Sequence, residues 1–493
     1  MAESADVAIV GSGISGLLAA RELLAAGREV TLIERGPARY GADSLSLDSR
    51  EEPLPSTEHN TLPGAGEGGH GWQYGYAFGG SSLLWAGVAP RLLPSDFETH
   101  SRFGIGRDWP ISYETLLPYY QEAERALSVS GSPHPLFPGS DAYPVPPVEP
   151  SAADRLLGPL LEPFGALAVA RRLAGPGGYP PPLDGGVDDV EESVTALDVA
   201  RELASSPGLT VRDRTVASRL RTESGRVTAI DLVGADGGHE ALSANRVVLA
   251  AHGIENAAIL LRSGFGGDSL GRWLGDHTHV VIDLEVEAPV EHWLASSRDS
   301  GISYAWADGD WRSERASAVV VPFNPGLLAR DDLAEGLADG EGGSRLRERL
   351  SERFAKTLVV YASLEDVPRE DRFVELSADR DSLGIAKTRV HYPADSDYVA
   401  RGLDRVCQGL EERLAPLGAR VARRRAGNLG GHMLGTCHMG AGGVVDENLR
   451  AHGYDNLFVA GGSAFPTHSA LHPTATIAAL AIRLGRHLAA ESS

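Results

Sequence analysis

The segment over residues 6–34, "DVAIVGSGISGLLAARELLAAGREVTLIE", constrains the fold of this chain more than any other stretch. Its opening apolar run has the length of a buried parallel strand, and Gly11, Gly13 and Gly16 follow with the spacing G-x-G-x-x-G. An Ala- and Leu-rich stretch then predicts a helix, and "EVTLIE" predicts a second strand. Strand, glycine turn, helix and strand in this order predict a βαβ unit of the Rossmann type.

The three glycines and one acidic residue of this unit have the chemistry of a dinucleotide site. Gly11 allows the tight turn, Gly13 lets the backbone approach a pyrophosphate, and Gly16 lets the helix pack close to the strand. The N-terminus of the helix stabilises the phosphate charge. Glu34 ends the second strand, about 20 residues after the first glycine, where a carboxylate accepts hydrogen bonds from ribose hydroxyls. The segment therefore predicts a dinucleotide-binding site.

The same order of strand, small-residue turn and helix recurs later in the chain. It is found over residues 244–264 and at the C-terminal end, where "NLFVA" (456–460) leads through two glycines to a helix over about 473–489. The region between these units is rich in predicted strands. The pattern predicts an α/β fold in which the first and last units share one sheet, so that the nucleotide-binding domain is discontinuous in sequence.

The charge balance bears on the partners of the protein. Lys and Arg number 45 against 67 Asp and Glu, which gives a net charge of −22. Because nucleic-acid binding depends on clustered basic residues, we expect no nucleic-acid partner. The negative charge favours a cationic substrate through long-range steering, although simple solubility is the commoner reason for such a charge.

Cysteine content and hydropathy bear on the compartment. Cys407 and Cys437 are the only cysteines, which are too few for a disulfide framework or a multi-cysteine metal site. No apolar run approaches the ~20 residues of a membrane helix. A predicted strand begins close to Met1, which leaves no room for a signal peptide. We therefore expect a cytoplasmic protein that does not bind membranes.

Histidines concentrate near the C-terminal end of the chain, at His432, His438, His452, His468 and His472. His472 directly precedes Pro473, which suits the first turn of a helix and holds the residue before it in an extended conformation. Three explanations remain open: scattered surface and capping histidines, a metal site, or two neutral imidazoles that act as general base and hydrogen-bond partner. The four-residue spacing of His468 and His472 suits a metal only on a helix face, and both precede the helix, so we expect no metal.

Five segments resemble the glucose–methanol–choline (GMC) family of flavin-dependent oxidoreductases, and more narrowly its bacterial and pyranose-oxidase-like branch. The opening unit is similar to the FAD-binding segment of the family, and "GGSSLLWAGVAPRL" with "WPISYETLLPYYQEAE" is similar to its second conserved block. "VVLAAHGIENAAILLRSG" is similar to a third block, with His252 where a glycine is usual. "HMLGTCHMG" (432–440) matches H-x-x-G-T-x-R-M-G, and "NLFVAGGSAFPTHSALHPTATIAALAIR" (456–483) matches the closing strand and helix of the family.

The resemblance implies FAD as the cofactor and indicates the residues of the site. It assigns cofactor contacts to Gly11, Gly13, Ser15, Gly16, Glu34, Arg35, Gly80, Ser81, Ser82, Val216, Gly462, Ser463 and Thr474. His432 falls on the catalytic histidine, which usually accepts the proton of the substrate hydroxyl, and His472 falls on the second catalytic position, an asparagine in many relatives. Leu84 stands where some pyranose oxidases carry the histidine that bonds to FAD, so we expect non-covalent FAD. His438 replaces the arginine of the family pattern.

The resemblance further implies a Rossmann-like FAD-binding domain and a substrate-binding domain with a mixed or antiparallel sheet and helices. The expected ranges are 1–115, 190–279 and 432–493 for the first domain, and 116–189 and 280–431 for the second. The expected reaction is FAD-dependent oxidation of the CH–OH group of a sugar, glycoside, amino sugar or polyol, with oxygen or another electron acceptor. Two alternatives remain open: a flavin reductase or monooxygenase that uses NAD(P)H, and a flavin-binding protein without catalytic activity.

Overall fold

The computed structural model describes residues 4–37, 54–55, 60–61, 74–140, 142–171, 194–290, 300–323, 329–393, 395–426 and 431–491. Its strands are β1 (Ser4–Val10), β2 (Val30–Ile33), β3 (Leu54–Pro55), β4 (Asn60–Thr61), β5 (Gly75–Tyr76), β6 (Val129–Ser130), β7 (Phe164–Ala166), β8 (Val169–Ala170), β9 (Leu209–Arg212), β10 (Thr215–Glu223), β11 (Arg226–Gly234), β12 (His239–Leu249), β13 (Thr278–Glu285), β14 (Gly301–Trp306), β15 (Ala318–Phe323), β16 (Thr357–Leu364), β17 (Phe373–Arg380), β18 (Ala386–His391), β19 (Arg420–Ala426) and β20 (Leu457–Val459). Its helices are α1 (Ile14–Ala25), α2 (Thr99–Phe103), α3 (Tyr113–Ala126), α4 (Ala152–Leu157), α5 (Ala196–Leu203), α6 (Gly253–Arg262), α7 (Ala329–Ala338), α8 (Gly343–Ala355), α9 (Asp397–Arg413) and α10 (Thr474–Ala490). Among these helices, none combines the length and the apolar character needed to cross a bilayer.

The largest sheet of the described chain joins seven strands, and its centre is parallel. Strands β9, β2, β1, β12 and β20 run parallel in that order. Val7 and Ile9 in β1 are fully buried, as is Ala8 between them, which explains why this strand is a continuous apolar run rather than an alternating one. β10 and β11 extend the sheet in the antiparallel direction through the long β12. The sheet confirms the predicted α/β fold, with the first and last units of the chain in one sheet on either side of β12.

Helices α1 and α10 bring the two ends of the chain together on this sheet. At Gly485 an added Cβ would lie 2.7 Å from Glu22 Cβ and 2.8 Å from the backbone oxygen of Ala19, so glycine is required for the two helices to approach this closely. α10 begins at Thr474, next to the predicted start of the helix. His472 therefore lies just outside the N-terminus of α10, as the pre-proline position predicts.

A second sheet of six strands is antiparallel throughout its described part. Its order is β19-β13-β16-β15-β14-β7. β16 is buried along its whole length, and α9 packs against it with Leu410, Val360 and Ile282 in one hydrophobic cluster. This is the antiparallel sheet and helix layer that the resemblance implies for a second domain.

Helix α3 crosses the expected domain boundary at residue 115. It packs against α10, and the Tyr120 hydroxyl lies 2.7 Å from Thr476 Oγ1. β7, which comes later in the same expected domain segment, joins the second sheet through β14. The described part of residues 116–189 therefore contributes to both layers.

Candidate active site

A cavity of about 300 Å³ lies at the carboxyl ends of three neighbouring parallel strands. Its wall includes Val10 at the end of β1, Ile33 at the end of β2 and Ala250 directly after β12. In open parallel sheets this edge is where ligands bind. The wall also includes His252 before α6 and Thr474 at the first residue of α10, so both ends of the chain contribute to the cavity.

The structure brings most of the expected cofactor residues to this cavity. Its wall includes Gly11, Gly13, Ser15, Glu34, Arg35, Gly80, Ser81, Ser82, Val216, Gly462 and Thr474. Gly16 lies behind the wall, where an added Cβ would be 2.0 Å from the backbone oxygen of Gly11. Ser463 is fully buried, and its Oγ accepts a hydrogen bond from Asn256 Nδ2 at 2.9 Å. The Ser463 side chain therefore supports the loop and does not line the cavity.

The glycine turn before α1 has the shape that a dinucleotide phosphate requires. Gly11 has a φ of +105°, and an added Cβ would lie 2.4 Å from the backbone oxygen of Ala250, so the turn is closed on its inner side. At Gly13 an added Cβ would meet no described atom within 4 Å. Gly13 is also the N-cap of α1, and no side-chain hydrogen bond caps this helix. An open helix N-terminus on a cavity wall fits the pyrophosphate of FAD.

Glu34 is held at the cavity by the same turn. Its Oε2 accepts hydrogen bonds from the Ser12 N–H at 3.0 Å and the Ser12 hydroxyl at 2.6 Å, and its Oε1 accepts one from the Gly36 N–H at 2.7 Å. Ser12 Oγ also accepts from the Gly79 N–H at 3.1 Å, which fixes the loop that carries Gly80. Burial raises the pKa of Glu34, and the hydrogen bonds from Ser12 oppose this rise. The sequence analysis missed Ser12, although a hydroxyl residue between the first two glycines was the available signal.

The wall near α6 carries a strained histidine. His252 has φ 88° and ψ 160°, a conformation that glycine adopts more readily than other residues. Its ring stacks on the Tyr74 ring with centroids 4.2 Å apart, and its Nδ1 accepts a hydrogen bond from the Ile254 N–H at 3.4 Å. Burial lowers the pKa of His252 to about 4, so the ring is neutral at neutral pH. The unusual His252 in the third family block was the sequence signal for this feature.

His432 and His472 come together, along with two histidines that the sequence analysis missed. The ring centroids of His432 and His472 are 5.3 Å apart, and the rings are nearly perpendicular at 84°. The His277 centroid lies 4.7 Å from that of His432 and 5.0 Å from that of His472. His279 lies 5.3 Å from His472. His432 lines the cavity with 20% of its side chain exposed, whereas His277 and His472 are buried.

The strand β13 and a buried carboxylate position this histidine cluster. His277 directly precedes β13 and His279 lies within it, and residues two apart on an extended chain face the same side. Asp276 accepts hydrogen bonds from the backbone N–H groups of His277 at 2.8 Å and Gly431 at 2.9 Å, which joins the two segments of the site. The alternation of His277 and His279 in "GDHTHV" was the available sequence signal for these residues.

Burial keeps the four imidazoles neutral. Burial, together with the neighbouring His277 and His279, holds the pKa of His432 well below 6.5. Burial also lowers the pKa of His277 and of His472 well below 6.5, and lowers the pKa of His279 to about 4. A neutral imidazole presents a lone pair that can accept a proton, and its depressed pKa makes it a weaker base than a free imidazole.

The cluster has the density of a metal site, and His279 Nε2 and His472 Nδ1 have no hydrogen-bond partner among the described residues, whereas His277 has no free ring nitrogen. One ring nitrogen from each of His277, His279 and His472 lies within 4.8 Å of the others. Both nitrogens of His277 are already engaged, since Nε2 lies 2.8 Å from His432 Nδ1 and Nδ1 lies 3.3 Å from the backbone oxygen of Ser469. We therefore assign no metal to these residues, and the absence of a metal stays a prediction.

The other three histidines of the C-terminal segment lie outside the cluster. His452 is exposed, and its Nε2 lies within hydrogen-bond distance of a backbone carbonyl at 3.0 Å. His438 and His468 are buried, and burial lowers the pKa of His438 to about 4 and that of His468 to about 3. The explanation by scattered surface histidines therefore fits His452, but it does not fit the buried His438 and His468 or the clustered His432 and His472.

A parallel sheet with a nucleotide-binding turn, and a cavity lined by the neutral imidazole of His432, fit a dinucleotide-dependent oxidoreductase. Comparison with known proteins identifies the dinucleotide as FAD. The family model "FAD dependent oxidoreductase" matches residues 6–46, and the model "GMC oxidoreductase" matches residues 368–481.

Similar proteins extend this likeness over the whole chain. The 6'''-hydroxyparomomycin C oxidase of Streptomyces lividus is 30% identical, with 99% of this chain and 92% of the relative covered. The large subunit of fructose dehydrogenase from Gluconobacter japonicus is 28% identical, with 97% of each chain covered. The crystal structure of pyridoxine 4-oxidase from Mesorbium loti shares the fold, with a TM-score of 0.68 at 22% identity and coverage of 99% of this chain and 100% of that one.

The chain therefore belongs to the GMC oxidoreductase family. It is an FAD-dependent enzyme that oxidises the CH–OH group of a small-molecule alcohol.

Proposed function

We propose that His432 is the general base in the oxidation of a sugar, glycoside, amino sugar or polyol by this enzyme. The observation that carries the proposal is the placement of His432, whose ring lines the cavity while its Nδ1 is bound to His277 at 2.8 Å. No described residue hydrogen-bonds to the other ring nitrogen, Nε2. An alcohol in the cavity therefore meets a neutral imidazole with one nitrogen open to it.

The reaction removes a proton from the hydroxyl oxygen and a hydride from the carbon that carries it. His432 accepts the proton at Nε2, and such general base catalysis contributes about 10²–10⁴-fold to the rate. FAD would supply the acceptor for the hydride when bound, and the carbon would become a carbonyl. His472 acts as the hydrogen-bond partner that orients the hydroxyl. The imidazolium that forms at His432 is stabilised by the carboxylate of Asp276, whose Oδ1 lies 3.8 Å from Nδ1.

Two helix N-termini and one carboxylate would hold the cofactor. The N-terminus of α1, with Gly13 and Ser15 on the cavity wall, is suited to the pyrophosphate. Glu34 is suited to the ribose hydroxyls. The N-terminus of α10, where Thr474 lines the cavity, supplies roughly +0.5 of an elementary charge. That charge would stabilise negative charge on a bound cofactor.

The names of the relatives and the charge of the chain support the substrate class. Relatives over nearly the whole chain are named as oxidising fructose, 6'''-hydroxyparomomycin C and paromamine. A net charge of −22 attracts a cationic amino sugar more strongly than a neutral sugar. A cationic amino sugar is therefore the first substrate to test.

The domain division is also part of the proposal. Residues 1–115, 190–279 and 432–493 would form the FAD-binding domain, and 116–189 and 280–431 the substrate-binding domain. The parallel arrangement of β1, β12 and β20 supports the first group, and the antiparallel sheet that contains β13 to β16 supports the second.

A panel of electron donors tests the proposed function. FAD-loaded protein is mixed anaerobically with sugars, polyols, amino sugars and NAD(P)H, and the flavin absorbance near ~450 nm is followed. We expect bleaching by at least one alcohol. Each amino sugar is paired with its neutral analogue, and only the rate with the cationic partner should fall as salt is added. Bleaching by NAD(P)H alone would indicate a flavin reductase, and bleaching by none of the donors would contradict the proposed activity.

We expect FAD to be bound without a covalent link. Leu84, at the position of the linking histidine in some pyranose oxidases, lines the cavity with 52% of its surface exposed and carries no nucleophile. Acid precipitation of the loaded protein should therefore release the yellow colour into the supernatant. Colour that stays in the washed pellet would show a covalent link through another residue.

A further inference from the structure

His432 and His277 share one hydrogen bond, and its direction decides which nitrogen of His432 accepts a proton. The bond joins His432 Nδ1 to His277 Nε2 at 2.8 Å. Both rings are neutral near pH 7 because burial lowers the pKa of each. One of the two bonded nitrogens therefore carries the hydrogen and the other a lone pair. The contacts of the remaining nitrogen of His277 identify the donor.

The remaining nitrogen of His277, Nδ1, faces two oxygen atoms that act as acceptors. It lies 3.3 Å from the backbone oxygen of Ser469 and 3.2 Å from Oγ of Ser363. The carbonyl has no hydrogen to donate, and the Ser363 hydroxyl donates its hydrogen to the backbone oxygen of Ala470 at 2.7 Å. Nδ1 of His277 therefore carries the proton, and Nε2 presents its lone pair to His432.

We propose that His277 is a positioning residue that holds His432 in the Nδ1–H tautomer and so leaves the Nε2 lone pair to accept the substrate proton. The proposal rests on the proposed function, in which His432 is the base. His432 Nδ1–H donates to His277 Nε2, and His277 Nδ1–H donates to Ser363 and Ser469. Ser363 belongs to β16, which pairs with β13, so the pairing of these two strands fixes the tautomer of the base.

Asp276 does not fix this tautomer, although it lies nearby. Its Oδ1 is 3.8 Å from His432 Nδ1, which is too long for a hydrogen bond. Its effect on His432 is electrostatic and favours the imidazolium once the proton has been accepted. His279 and His472 also face His432, and both are neutral near pH 7 because burial lowers the pKa of each.

A leucine at position 277 removes the acceptor for the Nδ1–H group of His432. In His277→Leu the proton of His432 is free to move to Nε2, so FAD reduction on the alkaline plateau should slow by about 10-fold or more. In His277→Gln the side-chain Oε1 takes the acceptor role of Nε2, and most of the plateau rate should return.

His279→Leu is the matched control for packing. His279 lies in the same cluster, with its ring centroid 4.7 Å from that of His277, and makes no hydrogen bond to His432 within the described residues. In this variant His432 should keep its proton on Nδ1. A mixture of His432 tautomers in both His277→Leu and His279→Leu would reduce His277 to a packing role and overturn the proposal.

The tautomer is read directly by ¹⁵N NMR of the FAD-loaded protein, labelled at histidine and without substrate. The His432 signals are those that disappear in His432→Gln. We expect Nδ1 protonated and Nε2 unprotonated in the parent and in His277→Gln, and a mixture in His277→Leu. A parent with Nε2 protonated would overturn the proposal. If the tautomer of His432 changes in His277→Leu, the positioning role is supported whether or not the enzyme is active. If in addition no alcohol reduces the bound FAD, the proposed function is contradicted.

Discussion

The His432→Ala variant should reduce its FAD at least about 10²-fold more slowly than the parent enzyme, which is the usual scale for the loss of a general base. Alanine removes the imidazole that lines the cavity. The residues suited to FAD, such as Gly13 and Glu34, belong to other elements and keep their contacts, so the FAD content of the purified variant should match that of the parent. Anaerobic stopped-flow absorbance measures the reduction rate directly.

A substitution at the second histidine separates the two roles. His472→Asn should be slowed less than His432→Ala, because asparagine keeps a hydrogen-bonding side chain. The two rings are 5.3 Å apart, and in the proposed mechanism both contact one hydroxyl, so the double variant should be slowed less than the product of the single effects. A normal rate in His432→Ala with no activity in His472→Asn would assign the base to His472. Normal rates in both variants would show that the cluster is structural.

The glycine turn offers a matched pair of substitutions with opposite outcomes. Gly11→Ala places a methyl 2.4 Å from the backbone oxygen of Ala250 at a φ of +105°, so the apo-protein should lose about 2 kcal/mol or more of stability. Gly13→Ala fits its backbone, at φ −71°, and its methyl meets no described atom within 4 Å. The apo-protein should keep its stability within about 1 kcal/mol, because the losses and gains of a glycine-to-alanine change nearly cancel here.

The affinity for FAD is the second property that distinguishes Gly13→Ala from Gly11→Ala. The methyl of Gly13→Ala stands on the cavity wall where the pyrophosphate approaches, so the affinity for FAD should fall by about 10-fold or more. Thermal melting of the apo-proteins and fluorescence titration with FAD measure the two effects. Full FAD affinity in Gly13→Ala would show that the pyrophosphate lies elsewhere. Equal melting of Gly11→Ala and the parent would show that the turn is less tightly packed than the structure indicates.

The positions of the residues in the first unit were predictable because each depends on one contiguous segment. A strand, a turn and a helix N-terminus are fixed by local spacing, so the sequence alone predicts that Gly11, Gly13 and Glu34 lie at one site. The cavity also depends on the parallel arrangement of β1, β12 and β20. The repeated order of strand, turn and helix predicts this arrangement, and parallel strands bring their carboxyl ends to one edge of the sheet.

His277 and its partners were not predictable, because their roles depend on contacts between distant strands. The alternation of His277 and His279 indicates that both face one side of β13, but it does not show what lies opposite. Ser363 is placed there by the pairing of β13 with β16. Ser463 was predicted by the family resemblance to contact the cofactor, and it follows a residue on the cavity wall. Its side chain instead hydrogen-bonds to Asn256, a contact with a distant segment that the sequence does not indicate.

The pH dependence of anaerobic FAD reduction by the fastest alcohol of the panel tests the central claim most directly. The groups facing His432 are Asp276, His277, His279 and His472. Burial holds the pKa of His432 well below 6.5, and the proposed base is the deprotonated ring. The rate should therefore stay on its plateau as the pH falls from about 8 through neutrality, and should decline only in the acid range, along a limb that is absent in His432→Ala. A limb above neutral pH, or an acid limb that persists unchanged in His432→Ala, would contradict the assignment of His432 as the base.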